Sequence, residues 1–225
     1  MLKIKNLKIN NTDNNLNLIE DVNLFVNEGE IVLLEGRNGS GKSTILNTIM
    51  HHPDYKIESG EVLLNDRNIT RLEGFELARL SMFISLQHAP EIEGLSTIKM
   101  LYGSYKILNP DSSKNITNFK KELEEECNKF DLDTSLLLRD VNVGFSGGQK
   151  KQAELMHMLA LNPKVILMDE PDSGVDKEAV AKVFEVIKYF QSKGAAIIIT
   201  SHNEKIKSLD IARVYVVENK KVTLQ

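Results

Sequence analysis

Cysteine is nearly absent from this chain, and long apolar runs are missing. The single cysteine among 225 residues, Cys127, cannot form a disulfide within the chain. No stretch approaches the roughly 20 consecutive apolar residues that a membrane-spanning helix requires. The first residues interleave lysine with apolar residues and lack the compact apolar core of a secretory signal. We therefore predict a cytoplasmic protein that does not insert directly into a membrane.

An excess of positive charge is missing as well. The formal net charge is -4 and the sequence pI is about 5.8, so the chain has no general attraction for a polyanion. We therefore predict that nucleic acid is not a partner. Apolar residues make up 41% of the chain and charged residues 27%, which at this length is typical of one well-packed globular domain.

The spacing of apolar residues changes along the chain. Over the first 35 residues apolar and polar residues alternate in short runs, which predicts strands and turns. A helix is predicted from Ser43 to about residue 50, followed by a strand at residues 60–64. From about residue 95 to residue 142 strand patterns disappear, which predicts a small helical lobe.

The last third of the chain has a different pattern. It predicts a helix, a strand, a second helix and a second strand, at residues 149–161, 165–168, 177–193 and 195–200. This order is typical of a parallel α/β sheet. We expect one domain, residues 1–225, with a core of approximately 1–87 and 143–225 and an inserted helical lobe of approximately 88–142.

Two features of the predicted lobe have ordinary explanations. Leu123, Cys127 and Phe130 share one helical face, so we expect Cys127 to pack in a core rather than to perform redox or metal chemistry. The acidic residues 124–126 are expected to form a solvated face. A partner-binding surface is the open alternative for that acidic run.

A phosphate-binding loop is predicted at residues 36–43, where GRNGSGKS matches G-x-x-x-x-G-K-[ST] between a predicted strand and a predicted helix. In such a loop glycines let successive N–H groups point at phosphate oxygens, and the helix N-terminus adds partial positive charge. Lys42 is expected to reach the β- and γ-phosphates and Ser43 to bind Mg²⁺. The predicted nucleotide contacts are Gly36, Arg37, Asn38, Gly39, Ser40, Gly41, Lys42, Ser43 and Thr44.

Two acids follow the apolar run VILM at residues 165–168. Asp169 is expected to hold Mg²⁺ through its water shell, and Glu170 to accept a proton from the attacking water or to orient it. The alternative is that both acids cap the following turn.

The sequence FSGGQ at residues 145–149 resembles LSGGQ, the signature of the ATP-binding cassette (ABC) superfamily. The resemblance implies a P-loop NTPase fold with a parallel core in a mixed sheet, antiparallel N-terminal strands and an inserted helical subdomain. It also implies an ATP-dependent homodimer in which two ATP molecules lie between head-to-tail chains. The signature residues that would contact ATP of the opposite chain are Ser146, Gly147, Gly148 and Gln149.

Three further positions resemble functional positions of this superfamily. Gln87 resembles the Q-loop glutamine, which touches Mg²⁺ and senses the γ-phosphate. Asp176, in SGVD at residues 173–176, resembles the D-loop aspartate, and His202 resembles the switch histidine. The resemblance implies that the chain is an ATP hydrolase in which Glu170, His202 and Lys42 are catalytic.

Aromatic residues are scarce near the N-terminus, where many ABC ATPases stack adenine on an aromatic ring. The chain has no aromatic residue before Phe25. We therefore expect stacking on the adenine base to be weaker, or to be supplied by aliphatic residues such as Ile9.

Several segments resemble the ATPase subunits of SUF iron–sulfur cluster assembly scaffolds, the SufC family. These segments are PDYKIESGEV at residues 53–62, QHAPEIEGL at 87–95, VNVGFSGG at 141–148 with KK at 150–151, and DSGVD at 172–176. The second segment contains the Q-loop, with which ABC ATPases grip their partners. The resemblance therefore implies SUF-type scaffold proteins, SufB- or SufD-like, as partners. Glu93, Gln149, and both Ser201 and Asn203 beside His202 depart from the usual SUF pattern.

Other functions within this superfamily are open to comparison. The ATPase subunit of a membrane transporter is the main alternative, and it would need separate membrane subunits. A chromosome-maintenance ATPase would need a long coiled coil between the phosphate loop and Asp169, and no such pattern is present. A dimer that binds ATP without hydrolysing it is disfavoured because Glu170 and His202 are both in place.

Overall fold

The computed structural model describes residues 1–85 and 90–225. Its strands are β1 (Leu2–Asn11), β2 (Asn17–Val26), β3 (Ile31–Glu35), β4 (Tyr55–Leu64), β5 (Arg67–Asn68), β6 (Met82–Ser85), β7 (Ile92–Ser96), β8 (Asp140–Val141), β9 (Val165–Asp169), β10 (Ala196–Thr200), β11 (Ile211–Glu218) and β12 (Lys221–Leu224). Its α-helices are α1 (Lys42–Ile49), α2 (Gly74–Arg79), α3 (Thr97–Leu108), α4 (Ile116–Asn128), α5 (Gly147–Leu161), α6 (Lys177–Ser192) and α7 (Glu204–Lys207). A 3₁₀ helix spans Thr134–Leu138.

These elements form two compact units. Unit one comprises Met1–Ser85, Lys164–Pro171 and Tyr189–Gln225. Within the described residues, unit two comprises residues 90–163 and 172–188. The division passes through α6. In the part of the chain that the structure describes, no helix combines the length and the apolar character needed to cross a membrane.

Unit one is built on a mixed sheet. Among the described residues, ten strands form this sheet in the order β5-β4-β1-β2-β12-β11-β3-β10-β9-β6. The strands β11, β3, β10, β9 and β6 pair in parallel, whereas β1 pairs antiparallel with β2 and with β4. The predicted fold class, a parallel core with antiparallel N-terminal strands, is confirmed. Strands β11 and β12 lie outside the segments for which the sequence pattern predicted structure.

The centre of this sheet is buried on both faces. Every residue of β9 and of β10 is buried, including the polar Asp169 and Thr200 at their carboxyl ends. Continuous aliphatic runs such as Ala196–Ile199 are typical of parallel strands that are covered on both sides. The polar residues at the strand ends therefore have fixed positions on a rigid support.

Unit two is mainly helical. Helices α3, α4 and α5 pack on one another and on the 3₁₀ helix, and the short strands β7 and β8 pair antiparallel. Cys127 is fully buried on α4 together with Phe119 and Leu123, and burial raises the pKa of its thiol to about 12. The expected packing role of Cys127 is therefore confirmed.

Unit two is larger than the lobe expected at about residues 88–142. Helix α5 belongs to unit two because its apolar face packs on α3 and α4, and residues 172–188 belong there as well. The strand pair β7–β8 also lies within this unit, where the sequence pattern predicted little strand structure. These additions depend on long-range packing, which helical periodicity does not specify.

Candidate functional site

Three loops that carry predicted site residues follow three neighbouring parallel strands. The phosphate loop follows β3, His202 follows β10, and Glu170 follows β9. The sheet order places β10 between β3 and β9, and all three strands run parallel. In open α/β sheets the carboxyl ends of such strands form the ligand-binding edge. The structure therefore brings these predicted residues to one edge of the sheet.

The phosphate loop has room only for glycine at two of its positions. At Gly36, with φ of 150°, an added Cβ would lie 2.5 Å from the carbonyl oxygen of Val217. At Gly41, with φ of 106°, an added Cβ would lie 2.4 Å from Cδ1 of Ile19. Side chains are excluded at both positions by close neighbours as well as by backbone conformation. The glycines of the motif are therefore fixed by the packing of the loop on β2 and β11.

The start of α1 is suited to an anion. Gly41 provides no side-chain cap, and the first turn contains no acidic residue. The first N–H groups of a helix lack intrahelical acceptors and carry partial positive charge. The hydroxyl of Ser40 is buried and has no hydrogen-bond partner among the described residues. An orphaned hydroxyl beside uncapped N–H groups fits phosphate oxygens as additional acceptors.

Lys42 is buried in this loop. Its Nζ donates hydrogen bonds to the carbonyl oxygens of Gly36, at 2.8 Å, and Arg37, at 3.1 Å. The main chain of the loop thus positions the ammonium group at the same helix start. A buried ammonium needs compensating negative charge or acceptors, which phosphate oxygens also supply.

Asp169 and Glu170 are held by Thr200, the last residue of β10. Thr200 Oγ1 donates a hydrogen bond to Asp169 Oδ1 at 2.8 Å and accepts one from the backbone N–H of Glu170 at 2.8 Å. Glu170 has a positive φ of 43°, which is uncommon for a residue with a side chain. The alternative was that both acids cap the following turn. The hydrogen bond of Asp169 instead joins it to Thr200 on the neighbouring strand.

The donor set fits Mg²⁺ better than a protein-enclosed metal. In residues 1–85 and 90–225 there is no group of three or more His, Cys, Asp or Glu side chains that could hold a metal ion. Mg²⁺ does not need such a group, because it keeps several waters and binds one or two carboxylates together with substrate phosphates. Asp169 and the hydroxyl of Ser43, in the first turn of α1, could supply the protein ligands.

His202 lies between β10 and α7 and is exposed. The segment around it is ordered by its neighbours: the Asn203 N–H donates to Ser201 Oγ at 3.0 Å, and the Asn203 side chain caps α7. Lys207, at the end of α7, forms an ion pair with Glu35 at 2.7 Å. His202 therefore lies on a short segment that the Lys207–Glu35 ion pair connects to the end of β3.

The signature residues lie in unit two at the start of α5. Ser146 Oγ accepts a hydrogen bond from the Gln149 N–H at 3.3 Å, and Gln149 Oε1 accepts one from the Ser146 N–H at 3.1 Å. This reciprocal pair is a capping box, so part of the sequence signal at these two positions is explained by helix initiation. An added Cβ at Gly147 would lie 3.2 Å from the carbonyl oxygen of Gly174, in the predicted D-loop.

Two other predicted site residues have different outcomes. Asp176 is exposed, and its carboxylate accepts a hydrogen bond from the Ala179 N–H at 2.8 Å at the start of α6. Its predicted role towards nucleotide stays a prediction. Gln87, predicted to contact Mg²⁺ and nucleotide, lies outside the described residues.

The expectation that Ile9 contacts the adenine base is wrong. Ile9 is fully buried in the core of unit one, where it pairs with Ile19 on β2 and Ile57 on β4. A side chain that is fully buried in the core is not accessible to an adenine base. The alternating pattern that identified β1 as a strand already assigns Ile9 to its buried face together with Leu7, apart from a local irregularity in the strand pairing.

Sequence reasoning did not identify Thr200 as a site residue. The available signal was a hydroxyl residue ending an otherwise aliphatic strand, AIIIT. That signal is weak by itself because β-branched threonine is common in strands. Only the pairing of Thr200 with Asp169 in adjacent strands gives the hydroxyl its partners.

Comparisons with known proteins identify the family of this chain. A family model described as "ABC transporter" matches residues 19–173, and a second, described as an AAA domain, matches residues 141–206. The "Probable ATP-dependent transporter ycf16" of Cyanophora paradoxa is 36% identical over 92% of this chain and 80% of its own length. A "Probable ABC transporter ATP-binding protein" of Streptococcus pyogenes serotype M3 is 32% identical over 92% of this chain and 80% of its own length.

Solved structures have the same fold. A dimeric bacterial ABC transporter cassette superposes with a TM-score of 0.82 at 24% identity, covering 99% of this chain and 96% of the other. A nucleotide-free ATP-binding cassette from an ABC transporter superposes with a TM-score of 0.74 at 29% identity, covering 99% of this chain and 89% of the other.

Proposed function

This chain belongs to the ABC transporter family, and from that premise we propose that it acts as a head-to-tail dimer whose ATP-driven closure moves a SUF-type iron–sulfur cluster assembly scaffold. As a family member the chain binds ATP together with Mg²⁺ and is an ATP hydrolase. The dimer, the roles of individual residues and the partner are the content of the proposal.

Within one copy, the phosphate loop binds the nucleotide. The N–H groups at the start of α1 and the ammonium of Lys42 bind the β- and γ-phosphates. Ser43 and Asp169 would hold Mg²⁺, which when bound neutralises charge on the phosphates. Glu170 accepts a proton from the attacking water or orients it, and His202 assists from the end of the neighbouring strand. These groups position the reactants and stabilise charge, which is the main protein contribution to phosphoryl transfer.

The second copy completes the site. Ser146 and the N–H groups of Gly147 and Gly148 begin a helix, and a helix start with no acidic residue in its first turn favours an anion. A phosphate at this position would come from the other chain, since the phosphate loop already binds the nucleotide of its own chain. A cassette with the same fold has been solved as a dimer, which supports this arrangement.

The proposed partner follows from two segments that resemble SUF ATPases. We call residues 90–95, which follow the Q-loop, the exit segment, and residues 141–151 the signature segment. The single observation that carries this part of the proposal is that the two segments contact each other in unit two through hydrogen bonds and an ion pair. A partner that binds the exit segment would therefore also shift the start of α5, which is proposed to contact the ATP of the other chain.

Three kinds of contact join the exit segment to the signature segment. The buried Asn142 side chain donates a hydrogen bond to the Pro90 carbonyl oxygen at 2.9 Å. Lys150 forms an ion pair with Glu91 at 2.8 Å, and β7 pairs with β8. Glu91, Ile92 and Glu93 are exposed, so a partner can reach the exit segment.

The test uses a variant that keeps ATP bound. Glu170→Gln removes water activation but leaves the phosphate-binding groups, so turnover should fall by about 10²- to 10⁴-fold while the ATP-bound dimer persists. Tagged Glu170→Gln protein is recovered from its native cell extract with Mg-ATP, and the co-purified proteins are identified by mass spectrometry. Lys42→Ala is the matched control, because it should not bind ATP.

The outcomes separate the proposals. Recovery of soluble SufB- or SufD-like proteins that stimulate ATP hydrolysis when added back supports the scaffold function. A Glu170→Gln protein that stays monomeric in excess Mg-ATP contradicts the dimer. Rapid, partner-independent hydrolysis by the isolated monomer also contradicts it, because a monomer lacks the Ser146 helix start of the second copy and closure should be unfavourable without nucleotide.

The second candidate function is the ATPase subunit of a membrane transporter. It is favoured by the names of the relatives, which are those of transporters or transporter ATP-binding proteins. In the same experiment, recovery of a multi-span membrane protein would support this candidate and contradict the scaffold partner.

A further inference from the structure

We propose that the Thr200 hydroxyl is a positioning group for hydrolysis, which holds the carboxylate of Asp169 and the backbone of Glu170 in one fixed arrangement. The inference rests on the proposed catalytic role of Glu170. It adds a residue to which neither the family comparisons nor the sequence motifs assign a role.

The first observation is the conformation of Glu170. Its φ of 43° lies in the left-handed region, which L-residues with side chains adopt rarely and which usually persists only where neighbouring groups fix it. The Glu170 N–H donates to two acceptors of one residue: Thr200 Oγ1 at 2.8 Å and the Thr200 carbonyl oxygen at 3.1 Å. Thr200 therefore fixes the point at which the chain leaves β9.

The second observation is the direction of the hydrogen bonds. A backbone N–H can only donate, so Thr200 Oγ1 accepts from Glu170 and its single proton is available for Asp169 Oδ1. The hydroxyl thereby links the predicted metal-binding carboxylate to the backbone of the predicted water-activating residue. Rotation of the Asp169 carboxylate is restricted by the same bond.

The third observation is the setting of Thr200. The residue is fully buried, and the four residues before it in β10 are aliphatic and buried. Valine has nearly the same shape and no polar atom to bury, so packing alone does not call for a hydroxyl here. The hydroxyl is accommodated because both of its hydrogen bonds are made.

The test compares Thr200→Val, which removes the hydroxyl, with Thr200→Ser, which keeps it. Thr97→Val is the matched control, because Thr97 is also buried and its Oγ1 donates to a backbone carbonyl, that of Arg139, in unit two. For each variant, amide hydrogen exchange of Glu170 is followed by NMR in nucleotide-free protein. The kcat and KM for ATP, and the ATP affinity, are measured separately.

In Thr200→Val we expect the Glu170 amide to exchange about tenfold faster, because one of its two acceptors is lost. We expect kcat to fall about tenfold or more, with KM and ATP affinity changed less than about twofold. Thr200→Ser should restore both the amide protection and kcat. Thr97→Val should leave both at the wild-type values, whatever it does to Tm.

Several results would overturn the inference. An unchanged Glu170 amide in Thr200→Val shows that the hydroxyl does not hold this backbone, and an unchanged kcat shows that holding it does not matter for hydrolysis. Equal losses in Thr200→Ser and Thr200→Val show a packing effect instead. If wild-type protein hydrolyses no ATP even with its partner, the proposed function fails, whereas the amide exchange still reports on the hydroxyl.

Discussion

Helices α1 and α5 both begin at sites predicted to bind phosphate, yet they begin in opposite ways. Helix α1 starts at Gly41 without any side-chain cap, whereas α5 starts at Ser146 with a complete capping box to Gln149. The helix start with unsatisfied donors is the one that also has the buried Lys42 and the orphaned Ser40 hydroxyl. The capped start keeps its donors partly satisfied until another acceptor arrives.

The difference suggests different roles for the two sites. A site that binds nucleotide within its own chain benefits from donors that are already free and fixed. A site that meets ATP only when a second copy closes benefits from a cap that keeps the helix stable in the open state. The cap engages the N–H groups of Ser146 and Gln149, so the N–H groups of Gly147 and Gly148 stay available for a phosphate oxygen.

The largest effect on stability and ATP binding is expected from Gly36→Ala, which disturbs the packing of the phosphate loop against β11. The new Cβ would meet the Val217 carbonyl oxygen, so the loop or β11 must shift, and the free energy of unfolding should fall by about 3 kcal/mol. ATP binding should be lost as well. Gly103→Ala, in α3 with open space around it, is the control and should not lower Tm. Normal stability and ATP binding in Gly36→Ala would contradict the packing of the loop.

Lys42→Ala should have the next largest effect, because it removes the charge at the α1 site and leaves the backbone unchanged. Hydrogen bonds that involve a charged group contribute enough that ATP affinity should fall by about 100-fold or more, so that calorimetry should detect no ATP binding. Lys3→Ala, which breaks an exposed ion pair with Asp66, is the control and should bind ATP normally. Tight ATP binding by Lys42→Ala would show that α1 needs no ammonium.

Glu30→Gln tests whether β3, which leads into the α1 site, depends on the ion pair of Glu30 with Arg213. Arg213 donates two hydrogen bonds to this carboxylate and holds the pKa of Glu30 at about 2, below its usual 4.5. Because the folded state favours the ionised carboxylate of Glu30, the ion pair stabilises the fold above pH 4.5. This stabilisation is lost as the pH falls towards 2 and the carboxylate is protonated. Because both side chains are partly exposed, we expect a loss of about 1 to 2 kcal/mol at pH 7.

The pH dependence is the decisive part of that prediction. The difference in unfolding free energy between wild type and Glu30→Gln should shrink as the pH falls from 4.5 towards 2, as followed by urea denaturation. A difference that stays constant across this range would mean that the substitution acts through packing. Glu61→Gln, which affects an exposed ion pair with Lys5, is the control.

The smallest effect is expected from Ser146→Ala, which breaks the cap of α5. Loss of the capping hydrogen bond should reduce the stability of the protein by about 1 kcal/mol. ATP affinity of the monomer should be unchanged, while ATP-driven dimerisation of the Glu170→Gln background should weaken, as seen by light scattering. Weakened ATP binding by the monomer would mean that Ser146 serves the nucleotide of its own chain, contrary to the proposed dimer.

The fold and much of the candidate site could be predicted from the sequence. The apolar run before Asp169 and the one ending at Thr200 predicted buried parallel strands, and the GRNGSGKS segment predicted the loop at the end of β3. These features are local, because a buried strand and a glycine-rich loop can each be recognised from a short run of consecutive residues. Strands β11 and β12 and the full extent of unit two were not predicted, because they depend on which distant segments pair.

The sequence by itself determined the family, the chemistry available at the phosphate loop, and the strands that carry Asp169 and His202. Only the tertiary structure decided that Ile9 is in the core, that Gln149 and Ser146 cap α5, and that Thr200 bonds to both Asp169 and Glu170. The physical reason is that a motif fixes which polar groups are present. The partners of those groups come from neighbouring strands and turns that are distant along the chain.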